Sequence, residues 1–190
     1  MTKLALEIGP GAHPAKQDGD GYEWLRVEYP GKSGPELFYD KSLFIARWGL
    51  DSLPFQNDRF DLVYAAHVLE HVSWTNTQAA LKEVFRVLKP GGGVEIWVPD
   101  FQYLVECYLQ RKCGDDWRHE NPTGDAMTWL NGRLFTYGPE PNFHKACFDS
   151  KSLARHLLDA GFTNPLRIDG LEAERGHKHG AISLGVRAYK

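Results

Sequence analysis

The feature that most restricts the fold is a short apolar run, residues 4–8, that ends directly in Gly9-Pro10-Gly11. An apolar run of this length that stops at a glycine turn predicts a buried strand followed by a tight turn. Glycine lets a backbone turn sharply and come close to a ligand. The pattern therefore predicts a sheet strand whose carboxyl end can approach a bound molecule.

Six more apolar segments follow the same pattern. They predict strands at residues 24–28, 43–48, 61–66, 94–98, 165–168 and 182–188. Helical spacing predicts a helix over residues 77–88, and a second helix is predicted to be capped by Asp149-Ser150 and ended by Gly161. This alternation predicts an α/β fold: a doubly wound, mostly parallel seven-stranded sheet with a C-terminal antiparallel hairpin. Ligands of such sheets bind outside the carboxyl ends of the strands.

Composition narrows the class of protein. The chain has 190 residues, 42% of them hydrophobic and 25% charged, which predicts one globular domain over residues 1–190, with 101–148 as an insertion or lid over the substrate side. A net charge of -3 gives no basic footprint for nucleic acid, and no apolar run is long enough to span a membrane. Three cysteines without paired spacing favour a reducing, cytoplasmic location.

The glycine turn favours a nucleoside ligand. Glu28 is predicted to end the second strand, where an acid can accept hydrogen bonds from ribose hydroxyls. Pro14 stands where a dinucleotide fingerprint needs its third glycine, and no Gly-Lys-Ser/Thr sequence follows as in a P-loop. These departures leave a nucleoside with little phosphate to hold.

Four motifs in chain order resemble those of class I S-adenosylmethionine-dependent methyltransferases. They are Glu7-Ile8-Gly9-Pro10-Gly11, Leu53-Pro54-Phe55 with Phe60-Asp61-Leu62-Val63, Val68-Leu69-Glu70-His71, and Arg86-Val87-Leu88-Lys89-Pro90-Gly91-Gly92. The later segments around His144, Phe148-Asp149 and Ala160-Gly161-Phe162 resemble a small bacterial branch of that family. The resemblance implies a Rossmann-like fold and S-adenosyl-L-methionine as the cofactor.

The resemblance also implies which residues hold that cofactor. They are Glu7, Gly9, Pro10, Gly11, Glu28, Leu50, Asp51, Ser52, Ala66 and His67. The first four would border the methionine part, with the Glu7 carboxylate at its amino group, and Glu28 would hold the ribose. Residues 50–52 would flank the adenine, although Gly49 stands where the family usually has an acid. Ala66 and His67 would line the methionine side near the sulfonium.

The segment from His67 to His71 also fits the H-x-x-E-H pattern of inverted zinc proteases. On a helix, its two histidines could bind one metal ion, but a third ligand would have to come from a distant residue such as His144. The preceding strand and the following glycine-stopped helix favour the methyltransferase interpretation. We therefore expect no metal site, and the simplest structural role for Glu70 and His71 is to hydrogen-bond the cofactor turn.

Methyl transfer from a sulfonium mainly requires that the acceptor be positioned, and a base is needed only if the acceptor must lose a proton. The candidates for this base are His71, Asp100 and His144, with His67 nearby. Aromatic and polar residues within 101–148 suit a small polar acceptor such as a sugar, or a packed lid. The prediction is methyl transfer to an oxygen or nitrogen atom. The alternatives are a non-catalytic, cofactor-binding partner subunit and a zinc hydrolase; the acceptor's identity and the oligomeric state stay open.

Overall fold

The computed structural model describes residues 2–10, 21–28, 43–45, 47–49, 51–110, 125–135, 143–168, 170 and 180–190. Within these ranges, seven strands form one sheet: β1 (Lys3–Ile8), β2 (Tyr22–Glu28), β3 (Leu43–Ile45), β4 (Phe60–Ala66), β5 (Leu88–Pro99), β6 (Thr163–Ile168) and β7 (Ser183–Tyr189). The helices are α1 (Thr77–Val87), α2 (Phe101–Gln110), α3 (Ala126–Phe135) and α4 (Ser150–Asp159). Short 3-10 turns occupy Leu69–His71 and Trp74–Asn76.

The strand order is β3-β2-β1-β4-β5-β7-β6. The first five strands are parallel to their neighbours, whereas β7 runs antiparallel to both β5 and β6. The predicted doubly wound sheet with its C-terminal hairpin is therefore confirmed. None of the helices within the described ranges combines the length and apolar character needed to cross a membrane.

Two strands differ from their predicted bounds by three residues or more at one end. The third is only Leu43–Ile45, because Trp48 leaves the sheet and its indole donates to the Ala80 carbonyl at 2.9 Å. The fifth starts at Leu88, directly after α1. Pro90 and the three glycines after it, which the sequence predicts to end the helix, therefore lie inside the strand. The pairing with β4 moves from Phe60–Leu88 to Leu62–Gly93, which makes this stretch an irregular start to β5.

The sheet buries both faces. One face packs against α1 and α4 through residues that include Leu81, Val84, Leu153 and Leu157. The opposite face holds a smaller aromatic cluster of Ala5, Trp24, Leu62, Tyr64 and Trp97. Since side chains alternate between faces along a strand, the two clusters take alternate positions of the same strands. The core therefore fixes the strand register, and with it the residues that reach the carboxyl edge.

Helices α2 and α3 form a third apolar cluster, through Leu104, Cys107, Trp129 and Leu130. They belong to residues 101–148, the segment predicted as an insertion. The end of that segment returns to the sheet, because the Phe101 backbone N–H donates to the Phe148 carbonyl at 3.0 Å. A single isolated bridge between Asp100 and Phe148 continues this contact.

Helix α4 begins with a reciprocal cap. The Asp149 carboxylate accepts from the Ser152 backbone N–H at 2.7 Å, and the Ser152 hydroxyl oxygen accepts from the Asp149 N–H at 3.0 Å. The backbone bond from Ser152 holds the pKa of Asp149 below its ordinary value of 3.8, despite the opposing effect of partial burial. At the other end, Gly161 has a φ of +106°, the left-handed conformation that ends many helices.

We expect Asp149→Ala to lower the free energy of unfolding by about 0.5–2 kcal/mol, because the helix loses its capping oxygen. The folded pKa is depressed, so this stabilisation is complete above about pH 4 and is lost as the pH falls below it. Urea unfolding at pH 7 and at pH 3 measures both effects. The control is Lys151→Ala on the exposed side of the same helix turn; an equal loss in both variants would show that the cap is not responsible.

Candidate active site

The sheet order reverses direction at β1, which lies between β2 and β4. A reversal of this kind opens a crevice at the carboxyl ends of the adjacent strands. Two backbone hydrogen bonds fix this edge: the Gly9 N–H donates to the Val27 carbonyl at 2.8 Å, and the His67 N–H donates to the Trp97 carbonyl at 2.8 Å. The glycine turn, the end of β2 and the end of β4 are thus neighbours, as the sequence predicts.

Gly9 is required by both conformation and space. Its φ is +66°, and a Cβ at this position would lie 2.5 Å from Cγ2 of Val68. The glycine turn after β1 therefore packs directly against the turn that follows β4. Pro10 is buried beside it, and Gly11, the second glycine of the predicted motif, lies outside the described residues.

Two acids predicted to hold the cofactor reach this edge. Glu28 is the last residue of β2, one position past the Ile8–Val27 pair, and is 8% exposed. Glu7 is also buried, and its Oε2 lies 3.5 Å from Nε of Arg26 on the next strand. An ammonium group at Glu7 would have to share the carboxylate with this guanidinium, whereas Glu28 lies beside the glycine turn, next to the Val27 carbonyl that accepts from Gly9.

In the segment predicted to flank the adenine, residues 50–52, the Asp51 side chain is bonded within the protein. Both Asp51 carboxylate oxygens accept from the Arg47 guanidinium, from Nε at 2.9 Å and from Nη2 at 2.9 Å, and these bonds lower the pKa of Asp51. Gly49 has a φ of +87°, and a Cβ there would lie 2.5 Å from Val72 Cγ1, which explains why no acid stands at this position. Ser52 is exposed, and Leu50 lies outside the described residues.

His67 follows β4 directly and has a φ of +54°, a left-handed conformation that is unusual for a residue other than glycine. Its Nδ1 lies 3.4 Å from Oε1 of Glu70, and its Nε2 lies 3.1 Å from the Ser183 hydroxyl oxygen. Because a carboxylate can only accept, Nδ1 is the nitrogen that carries a proton, and in the neutral ring Nε2 accepts from Ser183. Ala66, the residue before it, is half-buried at the same edge.

Glu70 lies at the centre of a group of histidines. Its side chain is 1% exposed, and no described residue donates a well-formed hydrogen bond to either carboxylate oxygen. Burial by itself would raise the pKa of Glu70, but the imidazoles of His67, His71 and His144 outweigh burial and hold the pKa below its ordinary value. The structure therefore keeps a charged carboxylate in an almost dry position.

The rings of His71 and His144 meet edge to face, with centroids 4.8 Å apart. Nδ1 of His71 lies 3.3 Å from the Phe143 carbonyl oxygen, and Nδ1 of His144 lies 3.0 Å from the Arg133 carbonyl oxygen. Carbonyl oxygens only accept, so both Nδ1 atoms carry protons. Nε2 of His144 then faces Glu70, at 4.0 Å from Oε1.

The backbone holds this group together. The Glu70 carbonyl accepts from the backbone N–H groups of Lys145 at 2.6 Å and Ala146 at 3.2 Å. These bonds join the 3-10 turn after β4 to residues 143–148. His71 and His144, which are far apart in sequence, are thereby brought to one place.

Asp100, the third candidate base, is used differently. Its Oδ1 accepts from the backbone N–H groups of Gln102 at 3.1 Å and Tyr103 at 3.4 Å, at the start of α2. Its Oδ2 accepts from Nη2 of Arg167 at 2.9 Å. The side chain is 3% exposed, so both oxygens are engaged in holding the fold.

The H-x-x-E-H hypothesis needs a helix that the structure does not form. Only Leu69–His71 make a 3-10 turn, and His67 precedes it in a left-handed conformation. His71 is instead partnered in space by His144. The sequence gives no local signal for Ser183, which reaches His67 only because β7 pairs with β5.

We expect Gly9→Ala to lower the free energy of unfolding by about 1–3 kcal/mol, because the new Cβ overlaps Val68. In the variant that also carries Val68→Ala, the overlap disappears and the two changes should cost less than the sum of the single changes. Urea unfolding of the four proteins measures this coupling. Strict additivity would show that the two turns do not press against each other.

Comparisons with known proteins agree with this geometry. Residues 39–96 match the model of a family described as Methyltransferase domain. A demethylmenaquinone methyltransferase from Streptomyces avermitilis is 34% identical over 118 residues, which are 58% of this chain and 46% of that protein. The counterpart from Streptomyces griseus is 31% identical over 96 residues, or 47% of this chain and 40% of that one. The chain thus spans less than half of these curated relatives.

Solved structures share the fold. A methyltransferase from Archaeoglobus fulgidus described as SAM-dependent superposes with a TM-score of 0.62, at 13% identity, over 99% of this chain and 86% of that one. Human N-acetylserotonin methyltransferase, solved in complex with SAM, gives a TM-score of 0.57 at 16% identity, over 99% of this chain and 47% of that one. The chain thus contains a stretch that matches a methyltransferase domain, on a fold that it shares with these methyltransferases.

Proposed function

We propose that this protein transfers a methyl group from S-adenosylmethionine to an oxygen or nitrogen atom of a small polar acceptor, with sugars among the candidates. The observation that carries the acceptor side is the charged, buried Glu70 with three histidines around it. This group lies directly after β4, next to the crevice at which the sheet order reverses. The proposed cofactor edge, at the glycine turn and the ends of β2 and β4, therefore lies next to a group of side chains that can accept a proton.

The residues at the cofactor edge fit the cofactor. Glu28 offers a buried carboxylate beside the glycine turn, suited to the two hydroxyls of a ribose. Gly9 keeps the turn close to the sheet, and the small side chain of Ala66 leaves space at the end of β4. When bound, S-adenosylmethionine supplies a methyl group on a positively charged sulfur. The protein's own task is then to position the acceptor and to take its proton.

Proton acceptance falls to the histidines rather than to Asp100. Asp100 caps α2 and pairs with Arg167, so using it as a base would weaken both contacts. His71 and His144 present imidazoles, and a neutral imidazole has one ring nitrogen that can accept a proton. An acceptor hydroxyl or ammonium group would give up one proton as it gains one methyl group.

Residues 101–148 are proposed as the cover of the acceptor side. Their described parts include the α2–α3 cluster and residues 143–148, which hydrogen-bond to Glu70. Tyr103 and Arg133 lie in these helices and are half-buried. Mixed aromatic and polar side chains of this kind suit a small polar molecule.

The cofactor edge is tested by calorimetry with S-adenosylhomocysteine. We expect micromolar binding by the parent protein, about -8 kcal/mol. Glu28→Ala should weaken it by about 10–100-fold, since each charge-assisted hydrogen bond contributes about 1.5–3 kcal/mol. The control is Glu23→Ala, an exposed acid on the same strand. No binding of either S-adenosylmethionine or S-adenosylhomocysteine by the folded parent would overturn the proposal.

The acceptor side is tested by methyl transfer from labelled S-adenosylmethionine to a panel of hydroxyl and amine compounds. Demethylmenaquinone is added because the Streptomyces relatives bear its name. His144→Asn should lower transfer about 10²–10⁴-fold, the range for loss of acid-base help, while S-adenosylhomocysteine affinity stays unchanged. His156→Asn, on α4, serves as the matched control.

Two outcomes would contradict the assignment. Tight cofactor binding without transfer to any compound would favour the non-catalytic partner subunit. Transfer to demethylmenaquinone alone would replace the oxygen or nitrogen acceptor with a quinone precursor.

A further inference from the structure

We propose that Glu70, His71 and His144 form a binding site for one divalent transition-metal ion of the zinc type. We call these three residues the Glu70 cluster. One ligand atom from each lies within 4.8 Å of the other two. From the sequence we expect no metal site, and the set in question there is His67 and His71 with a distant residue such as His144. The structure instead brings together Glu70, His71 and His144.

The first argument is the direction in which His144 presents its lone pair. Its Nδ1 proton is directed at the Arg133 carbonyl, 3.0 Å away. In the neutral ring, Nε2 is therefore an unprotonated acceptor, and it lies 4.0 Å from Oε1 of Glu70. Two acceptors that face each other in a dry site are unfavourable unless a cation lies between them, either a proton on Nε2 or a metal ion. The position between these two atoms therefore suits a metal ion.

The second argument is the setting of both histidines. Each has Nδ1 at a backbone carbonyl, that of Phe143 for His71 and that of Arg133 for His144. A metal-bound histidine almost always donates its other ring N–H to a carbonyl, carboxylate or water, which fixes the ring and leaves one nitrogen for the metal. Both histidines of the Glu70 cluster have such a contact with a carbonyl.

The third argument is Glu70 itself. Its side chain is 1% exposed, and among the described residues none donates a well-formed hydrogen bond to its carboxylate oxygens. Buried carboxylates are normally paired with a cation, hydrogen-bonded or bound to a metal. The Nδ1 of His67, which is outside the Glu70 cluster, lies 3.4 Å from Oε1.

The scaffold needs only a small closure to bind a metal ion. Zinc bonds to nitrogen and oxygen are about 2.0–2.2 Å long, so tetrahedral ligand atoms lie about 3.3–3.5 Å apart. The ligand atoms of the Glu70 cluster, which lie within 4.8 Å of one another, would therefore have to approach by at most about 1–1.5 Å. The chain segments are already joined, because the Glu70 carbonyl accepts from the N–H groups of Lys145 and Ala146. Folding has therefore already brought these ligands, which are distant in sequence, close together.

The ligand chemistry selects the type of ion. Two imidazoles with one carboxylate suit zinc and neighbouring transition metals, whereas magnesium and calcium prefer oxygen ligands alone. Three protein ligands leave a coordination position open. This last step rests on the proposed function: the open position would hold an oxygen of the acceptor and lower its pKa. With the ion bound, the metal would therefore replace His71 and His144 as the group that promotes loss of the proton, which would pass to solvent. The acceptor class would then be a hydroxyl compound.

The test is titration of metal-free protein with Co²⁺, followed by its visible absorption, and then displacement by Zn²⁺. We expect one tightly bound ion per chain and an absorption typical of four ligands. Glu70→Gln and His71→Asn should each weaken binding by at least about 10–100-fold, the loss seen even for outer-shell changes. His156→Asn, remote from the cluster, should bind as the parent does.

Thermal melting shows whether each variant is still folded and whether it binds the ion. Zn²⁺ should raise the Tm of the parent and of His156→Asn, but not that of His71→Asn, because only a native-state ligand stabilises. No stoichiometric binding by parent protein that still binds S-adenosylhomocysteine would overturn the metal site and leave the proposed function intact. Binding that is unchanged in both cluster variants would also overturn it. Failure to bind S-adenosylhomocysteine would count against the proposed function alone.

Discussion

A charged carboxylate in an almost dry position is the constraint on which the site depends. Removing a carboxylate from water costs several kcal/mol unless the surroundings compensate for the lost hydration. At Glu70 the compensation comes from three imidazoles, one on β4's end, one on the following turn and one on the returning segment. The same residue's carbonyl binds two backbone N–H groups of that segment. Glu70 thus faces the histidines through its carboxylate and holds the returning segment through its backbone carbonyl.

The edge of the sheet at the glycine turn obeys a different constraint, which is steric. The turns after β1 and β4 lie so close that only glycine fits at position 9 against Val68. In the turn after β4, His67 takes a left-handed conformation, which costs an ordinary residue of order 1–3 kcal/mol. Strain of this size is retained where neighbours hold it, and here the Trp97 carbonyl and the Ser183 hydroxyl both contact His67.

Local patterns predict much of the fold. The apolar spacing of Leu81 and Val84 predicts α1, and the Asp149 cap with Gly161 predicts α4, because these signals act over one or two helix turns. Trp48 shows the limit of such patterns. It continues an apolar run and so favours a longer third strand, yet its burial comes from packing against α1.

The site is predicted only in part, for the same reason. His67 and Glu28 follow from strand ends, which can be located along the chain. Ser183 reaches the site because β7 pairs with β5. Glu70 is joined to residues 143–148 by backbone hydrogen bonds, which can form with any residue type and so leave no pattern in the sequence. The histidines attract attention in the sequence, but their common centre is visible only in three dimensions.

The position of β7 between β5 and β6 also has a consequence for the order of folding. Contacts between residues distant in sequence form slowly, since the intervening loop must close first. Ser183 is 116 residues from His67, and it cannot reach that ring until β7 has docked beside β5. The glycine turn needs only β1, β2 and β4 beside it, so the contact between Ser183 and His67 depends on a strand that comes far later in the chain than those that hold the turn.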